Sequence, residues 1–157
     1  MNAFVREHLG ILQQTMALRG FLLDALAEED LDYSPGGDAP TFRDLLKDIG
    51  QTQQSYIDSY TTLKHDYAYQ ISDTSVVKDI PAIRAWFNDL DAKLLETLNA
   101  QSDEDLMQMV DRVTFQIPLV AQGHVFKEAL MIFYGAANMY IKALGKQVSG
   151  YWHPWIG

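Results

Sequence analysis

The chain has 157 residues, 48% hydrophobic and 11% aromatic, a composition that predicts one packed globular domain spanning 1–157. Lys and Arg number 12 against 21 Asp and Glu, a net charge of −9 that repels phosphate backbones and anionic lipid, so neither nucleic acid nor a membrane is an expected partner. Cysteine is absent, which excludes disulfides, thiolate metal sites and thiol nucleophiles.

No apolar run approaches the roughly 18 residues that a membrane span needs. Arg6 and Glu7 interrupt any signal-peptide core, so the expected location is cytoplasmic. Helical periodicity begins at Asn2, a good N-cap, and runs to about Ala27, with Val5, Leu9, Leu12, Met16, Leu23 and Leu26 as its main stripe. His8, Thr15 and Arg19 fall inside that apolar arc. A buried arginine needs an anion, so Arg19 either pairs with a carboxylate such as Asp48 or snorkels out along the helix edge, and the second is favoured.

Residues 28–40 read as a connector, with SPGG and DAP as turn chemistry. Thr41 caps a second helix, and Asp44 three residues on resembles a capping box. This helix fades after Thr62 into a polar, tyrosine-rich stretch ending near Val77. Asp79 and Pro81 announce a third helix running to about Asn99, with Ile83, Trp86, Phe87, Leu90, Leu94 and Leu98 as its stripe. From 101 to 123 the chain is expected to be non-helical, with one short strand at 112–117 where Arg112, Thr114 and Gln116 alternate with Val113, Phe115 and Ile117. A last helix from about Gly123 to Leu144 ends at Gly145, a left-handed C′ position. Its polar strip is narrow: Lys127, Glu128, Asn138 and Lys142. The tail GKQVSGYWHPWIG is too apolar to stay in water; it is expected to be ordered, covering one end of the bundle or reaching a second subunit.

These elements predict an all-α four-helix bundle with long connectors. EEDLDYSPGGDAPTFRDLLKDIG, residues 28–50, resembles the start of helix two in the DinB-like (DinB/YfiT) superfamily: an acidic turn, an aromatic followed by Pro and Gly, a Ser/Thr cap and a Leu-Leu run. MIFYGAANMYIKALG, residues 131–145, resembles the last helix of that family. The resemblance implies a divalent metal held by three histidines, one on helix two and an i, i+4 pair on helix four. In some members it implies transferase or isomerase chemistry with low-molecular-weight thiols. Carried over by position, those ligands fall on Asp48, Ala129 and Phe133, so the spacing is kept and the histidines are not. Dimers are common in such a family, and a homodimer is expected here.

Asp48 lies about 120° from the centre of the helix-two apolar face at about 100° per residue, which suits a solvated flank acid and a pocket acid equally. Ala129 and Phe133 point into the apolar arc of helix four, where core packing is the plain reading. No two of His8, His65, His124 and His153 share a helix at ligand spacing. His65 and His153 read as surface or tail residues, and His124 as a neutral residue at a helix start. No G-x-S-x-G, P-loop, G-x-G-x-x-G or H-E-x-x-H motif occurs, and no catalytic residue is assigned.

The favoured expectation is a bundle without cofactor or metal. It binds a small molecule in the former metal pocket around Asp48, Ala129, Phe133, His8 and Arg19, or serves as a scaffold. One alternative is a Zn- or Ni-dependent thiol transferase or hydrolase whose site is rearranged around Asp48, His8 and Glu128. The other is a stress-linked interaction module that uses the broad face of helix four and the aromatic tail.

Overall fold

Asn2 does two jobs at the start of the chain. Its side-chain oxygen accepts the Val5 N–H at 2.9 Å and so caps α1 (Ala3–Ala25). Its amide nitrogen donates to the carbonyls of Leu98 at 2.7 Å and Gln101 at 2.9 Å, which ties that end of α1 to the end of α3 (Ile80–Ala100). The computed structural model describes residues 1–157 and shows the expected all-α bundle. Thr41 caps α2 (Phe42–Thr62) by accepting the Asp44 N–H, while its hydroxyl donates to the Asp44 carboxylate. Asp79 caps α3 through the Ala82 N–H at 2.8 Å. Gly145 has φ +68° just beyond α4 (Leu119–Ala143), a conformation that suits glycine.

α1 packs on α3 and α4, and α2 packs on the same two helices. Helices one and two therefore stand at opposite corners, as do three and four, and the chain crosses the bundle ends on residues 26–41, 63–79 and 101–118. The first and third connectors span a diagonal and are long for that reason, whereas the second joins two adjacent helices. Leu22, Leu46, Ile83, Leu98, Leu130 and Tyr134 lie completely buried at the centre. Two glycines let rings come unusually close. A Cβ on Gly50 would sit 2.2 Å from the Trp86 ring, and one on Gly123 would sit 2.3 Å from the Phe4 ring.

The third connector corrects one expectation. Instead of a strand over 112–117 there is a hairpin, β1 (Met109–Asp111) antiparallel to β2 (Gln116–Pro118), with residues 112–115 as its turn. Val113 has φ +72°, which no strand tolerates, and Val113 and Phe115 point outward instead of into a core. β2 runs directly into α4, so this helix begins four residues before the expected Gly123; Pro118, with no N–H to satisfy, stands at its entry.

The second connector joins this hairpin. Leu63, left-handed at φ 55°, turns the chain out of α2. The Leu63 carbonyl then accepts the Asp111 N–H, and the His65 N–H donates to the Asp111 carbonyl, both at 2.9 Å. Residues 63–65 thus lie beside β1 as a third extended segment, in parallel register with Lys64 opposite Asp111.

The aromatic tail is ordered and docks on its own bundle. A short helix, α5 (Trp152–Ile156), buries Trp152 edge-on to Tyr134 at 5.4 Å, with the indole N–H donating to Asn138 at 3.2 Å. The exposed face of α4 is less polar than its sequence suggests, because Ile132, Gly135 and Met139 are exposed alongside Glu128 and Lys142. No helix is long and apolar enough to cross a membrane.

Candidate functional site

A groove between α2 and α4 brings together Asp48, Ala129 and Phe133, together with Leu45, Thr52 and Ile132. Asp48 is exposed on its rim, Ala129 is half-buried and Phe133 is buried. At Asp48, Thr52 and Ala129 the groove continues into a polar cleft of about 250 Å³ that runs under the second connector, past Ser55 and Tyr56 to His65 and Tyr67. Along α2 the wall from Asp48 to Tyr56 is about 12 Å long at 1.5 Å per residue.

His65 is 6% exposed, so its assignment from sequence to the surface is corrected. The pairing of residues 63–65 with β1 pulls it inward, where its ring lies 4.5 Å from the Tyr56 ring and 4.4 Å from the Tyr67 ring. Its Nδ1 is buried without a hydrogen-bond partner. Burial, reinforced by the charge of Arg112 and only partly opposed by Asp66, lowers its pKa to about 4. The ring is therefore neutral at pH 7, one nitrogen donating and the other accepting.

Arg112 is also 6% exposed and holds this corner together. Its side-chain hydrogen bonds all go to neutral oxygens: Nε to the Tyr67 hydroxyl at 2.9 Å, one terminal nitrogen to the Tyr56 hydroxyl at 3.3 Å, and the other to Gln122. Gln122 donates in turn to Ser59 at 2.7 Å, and Ser59 donates to the Tyr56 carbonyl at 2.6 Å. The guanidinium carbon also lies 5.4, 5.3 and 5.8 Å from the ring centres of Tyr56, Tyr67 and Phe115. Burial raises the Tyr56 pKa against the opposing pull of Arg112, so the phenol stays protonated.

Two residues expected in this pocket lie elsewhere. Arg19 neither snorkels nor reaches Asp48: it is 2% exposed between α1 and α3, paired with Asp91 and donating to Gln53 at 2.6 Å. Its guanidinium also lies over the Phe87 ring at 4.4 Å. The wheel places Arg19 inside the apolar arc, but the favoured expectation of snorkelling is corrected, and the partner escapes the sequence because Asp91 belongs to another helix. His8 sits near the start of α1, its ring 4.5 Å from His124 on α4, and lines neither part of the cleft. Burial, then the neighbouring His8, lowers the His124 pKa, in keeping with its expected neutrality.

Sequence reasoning missed Arg112 altogether and gave His65 no role. The signal that points to them is the polar, tyrosine-rich run after Thr62.

The donor set does not suit a bound metal. Of Asp48, Ala129 and Phe133, the positions to which the resemblance assigns the ligands, only Asp48 has a side-chain donor atom, and no three His, Asp or Glu side chains come together anywhere in the structure. The rearranged set of Asp48, His8 and Glu128 does not converge either.

Comparison with known proteins gives this geometry its setting. Residues 11–125 match the family model described as the DinB superfamily. The chain belongs to the DinB superfamily. A DinB-like protein from Bacillus subtilis has a similar structure, with a TM-score of 0.69 over 90% of this chain and 97% of that one at 13% identity. A second, from Bacillus cereus ATCC 10987, gives a TM-score of 0.66 over 89% and 93% at 18% identity. At such identities the likeness is one of fold. No curated protein sequence matches the chain. For this DinB-superfamily chain, then, the family identifies the bundle, and the site has to be argued from its own residues.

Proposed function

We propose that this DinB-superfamily protein works without the family's metal and binds a small molecule in the cleft between α2, α4 and the second connector. One observation carries this reading: His65 is buried at the end of an open cleft, with a ring nitrogen that no protein group satisfies. Such a nitrogen costs on the order of 1–3 kcal/mol, and a ligand group can remove that cost. Phe133 and Ile132 give the other end of the cleft an apolar wall, so a small molecule with a polar end and an apolar end fits its chemistry.

Two measurements test the reading. Elemental mass spectrometry after loading with Zn²⁺ or Ni²⁺ is expected to find far less than one metal per chain; stoichiometric, chelator-resistant metal overturns the metal-free part. Amide chemical-shift mapping with a library of small polar aromatics is expected to move Ser55, His65 and Ala129, and a library that moves none of them overturns the binding part. A homodimer is part of the proposal. It is supported by the exposed row of Ile132, Gly135 and Met139 on one face of α4, and light scattering after chromatography tests it.

A further inference from the structure

We propose that the ligand of this cleft carries a single oxyanion, a carboxylate or a phosphate, received by the hydroxyls of Tyr56 and Tyr67 with Arg112 behind them. The proposal rests on the small-molecule reading above and names the chemistry of the ligand's polar end.

It follows from counting donors and acceptors. Arg112 is a buried cation whose hydrogen bonds all go to neutral groups, and an arginine in that state lacks the anion it normally requires. Its N–H groups occupy both phenol oxygens as acceptors. Each phenol must then send its own proton elsewhere, yet neither hydroxyl donates to any group in the protein. A phenol that accepts from a guanidinium is polarised and becomes a stronger donor. Two such donors flank the neutral His65 ring, and all three residues line the cleft. Oriented O–H donors backed by a fixed positive charge form a receptor for negatively charged oxygen.

The acids in the cleft limit how much negative charge it accepts. Asp66 is exposed and spends one oxygen on the Ala68 N–H at 2.9 Å, within its own loop. Asp48 stands about 12 Å away along α2. A ligand with one anionic end fits this pattern, and a second negative charge at its far end would meet Asp48.

The test uses benzoate, benzamide, benzylamine and inorganic phosphate, titrated separately into ¹⁵N-labelled protein at pH 7. Benzoate or phosphate is expected to shift the amides of Ser55, His65 and Tyr67; whichever binds tighter identifies the head group as carboxylate or phosphate. Benzamide and benzylamine are expected to bind at least about tenfold more weakly, as the loss of a charge-assisted hydrogen bond requires. Tyr67 is largely exposed, so Tyr67→Phe is expected to fold normally and to weaken benzoate about tenfold. Unchanged affinity in Tyr67→Phe overturns the proposal. If benzamide or benzylamine binds the cleft as well as benzoate or better, the oxyanion inference fails while the small-molecule reading stands. If none of the four probes moves a cleft amide, both fail.

Discussion

The two buried arginines of this protein resemble each other in burial and differ in company. Arg19, on α1, has a carboxylate: Asp91 takes one arm of the guanidinium, Gln53 takes the other, and Gln53 also donates to Asp91 at 2.8 Å. That charge is balanced within the bundle. Arg112, in the hairpin turn, has two phenols, an amide oxygen and three aromatic rings, and no acid. A balanced cation is a structural part, whereas an unbalanced one beside an open cleft is half of an interaction. The difference separates scaffold from site more sharply than burial does, and it can be broken from either side.

The largest effect is expected on the balanced side. Asp91→Ala leaves Arg19 buried without an anion, and urea unfolding should show a loss of about 3 kcal/mol. Removing both charges with Arg19→Met and Asp91→Leu should bring stability back to within about 1 kcal/mol of the parent. A loss of less than about 1 kcal/mol for Asp91→Ala would reduce the pair to the strength of an ordinary surface contact.

On the other side, pH is the sharper tool. His65 faces Arg112, Asp66, Tyr56 and Tyr67, and its pKa falls from 6.5 to about 4 on folding. Between those values the unfolded chain takes up a proton that the folded chain refuses. Stability is therefore lost as pH falls from 6.5 towards 4, by at most about 3 kcal/mol, and for this group it is flat above and below that window. His124 contributes in the same direction, so the decisive quantity is the difference between the parent and His65→Gln. The variant's curve should be flatter over that window. Parallel curves would mean that the ring titrates as it does in water.

Much of the fold could be read locally, because caps are local chemistry. Asn2, Thr41, Asp79 and Gly145 each act on residues within a turn of themselves, and each sits where the sequence placed it. Asp48, Ala129 and Phe133 could be brought to one groove because the family pattern carries their register. The arginine sites had no such signature. Arg19 needed Asp91 from a different helix. His65 and Arg112 come together only because residues 63–65 pair with β1, a contact between two connectors that periodicity does not register. The turn at 112–115 even imitated a strand, since alternation of polar and apolar side chains looks the same whether or not the apolar ones are buried.

A third variant bears directly on the contrast. Arg112→Met removes a cation and leaves no orphaned charge, only Gln122 and two phenols short of a donor. Its cost should be about 1–2 kcal/mol, less than that of Asp91→Ala, with oxyanion binding lost. If it costs more than Asp91→Ala, Arg112 is the more structural of the two and the contrast is reversed.

The smallest effect lies next door, at Val113. Its φ of +72° is strained for a β-branched residue, and its side chain is 79% exposed, so packing does not compensate. The turn holds it there with the Val113 N–H donating to the Asp111 carboxylate and the Arg112 N–H donating to the Phe115 carbonyl, both at 2.9 Å. Val113→Gly and Val113→Asn should each stabilise the protein by about 0.5–1 kcal/mol. Asn is the cleaner of the two, because Gly also gains freedom in the unfolded chain. The strained residue is the neighbour of Arg112, whereas Arg19 lies in an ordinary helix interior. Gly or Asn adopts the same φ without that cost, so the turn keeps its shape and benzoate affinity should stay within about twofold of the parent while the melting temperature rises. A rise in stability with benzoate binding weakened beyond that would show that the turn's strain and the receptor are coupled.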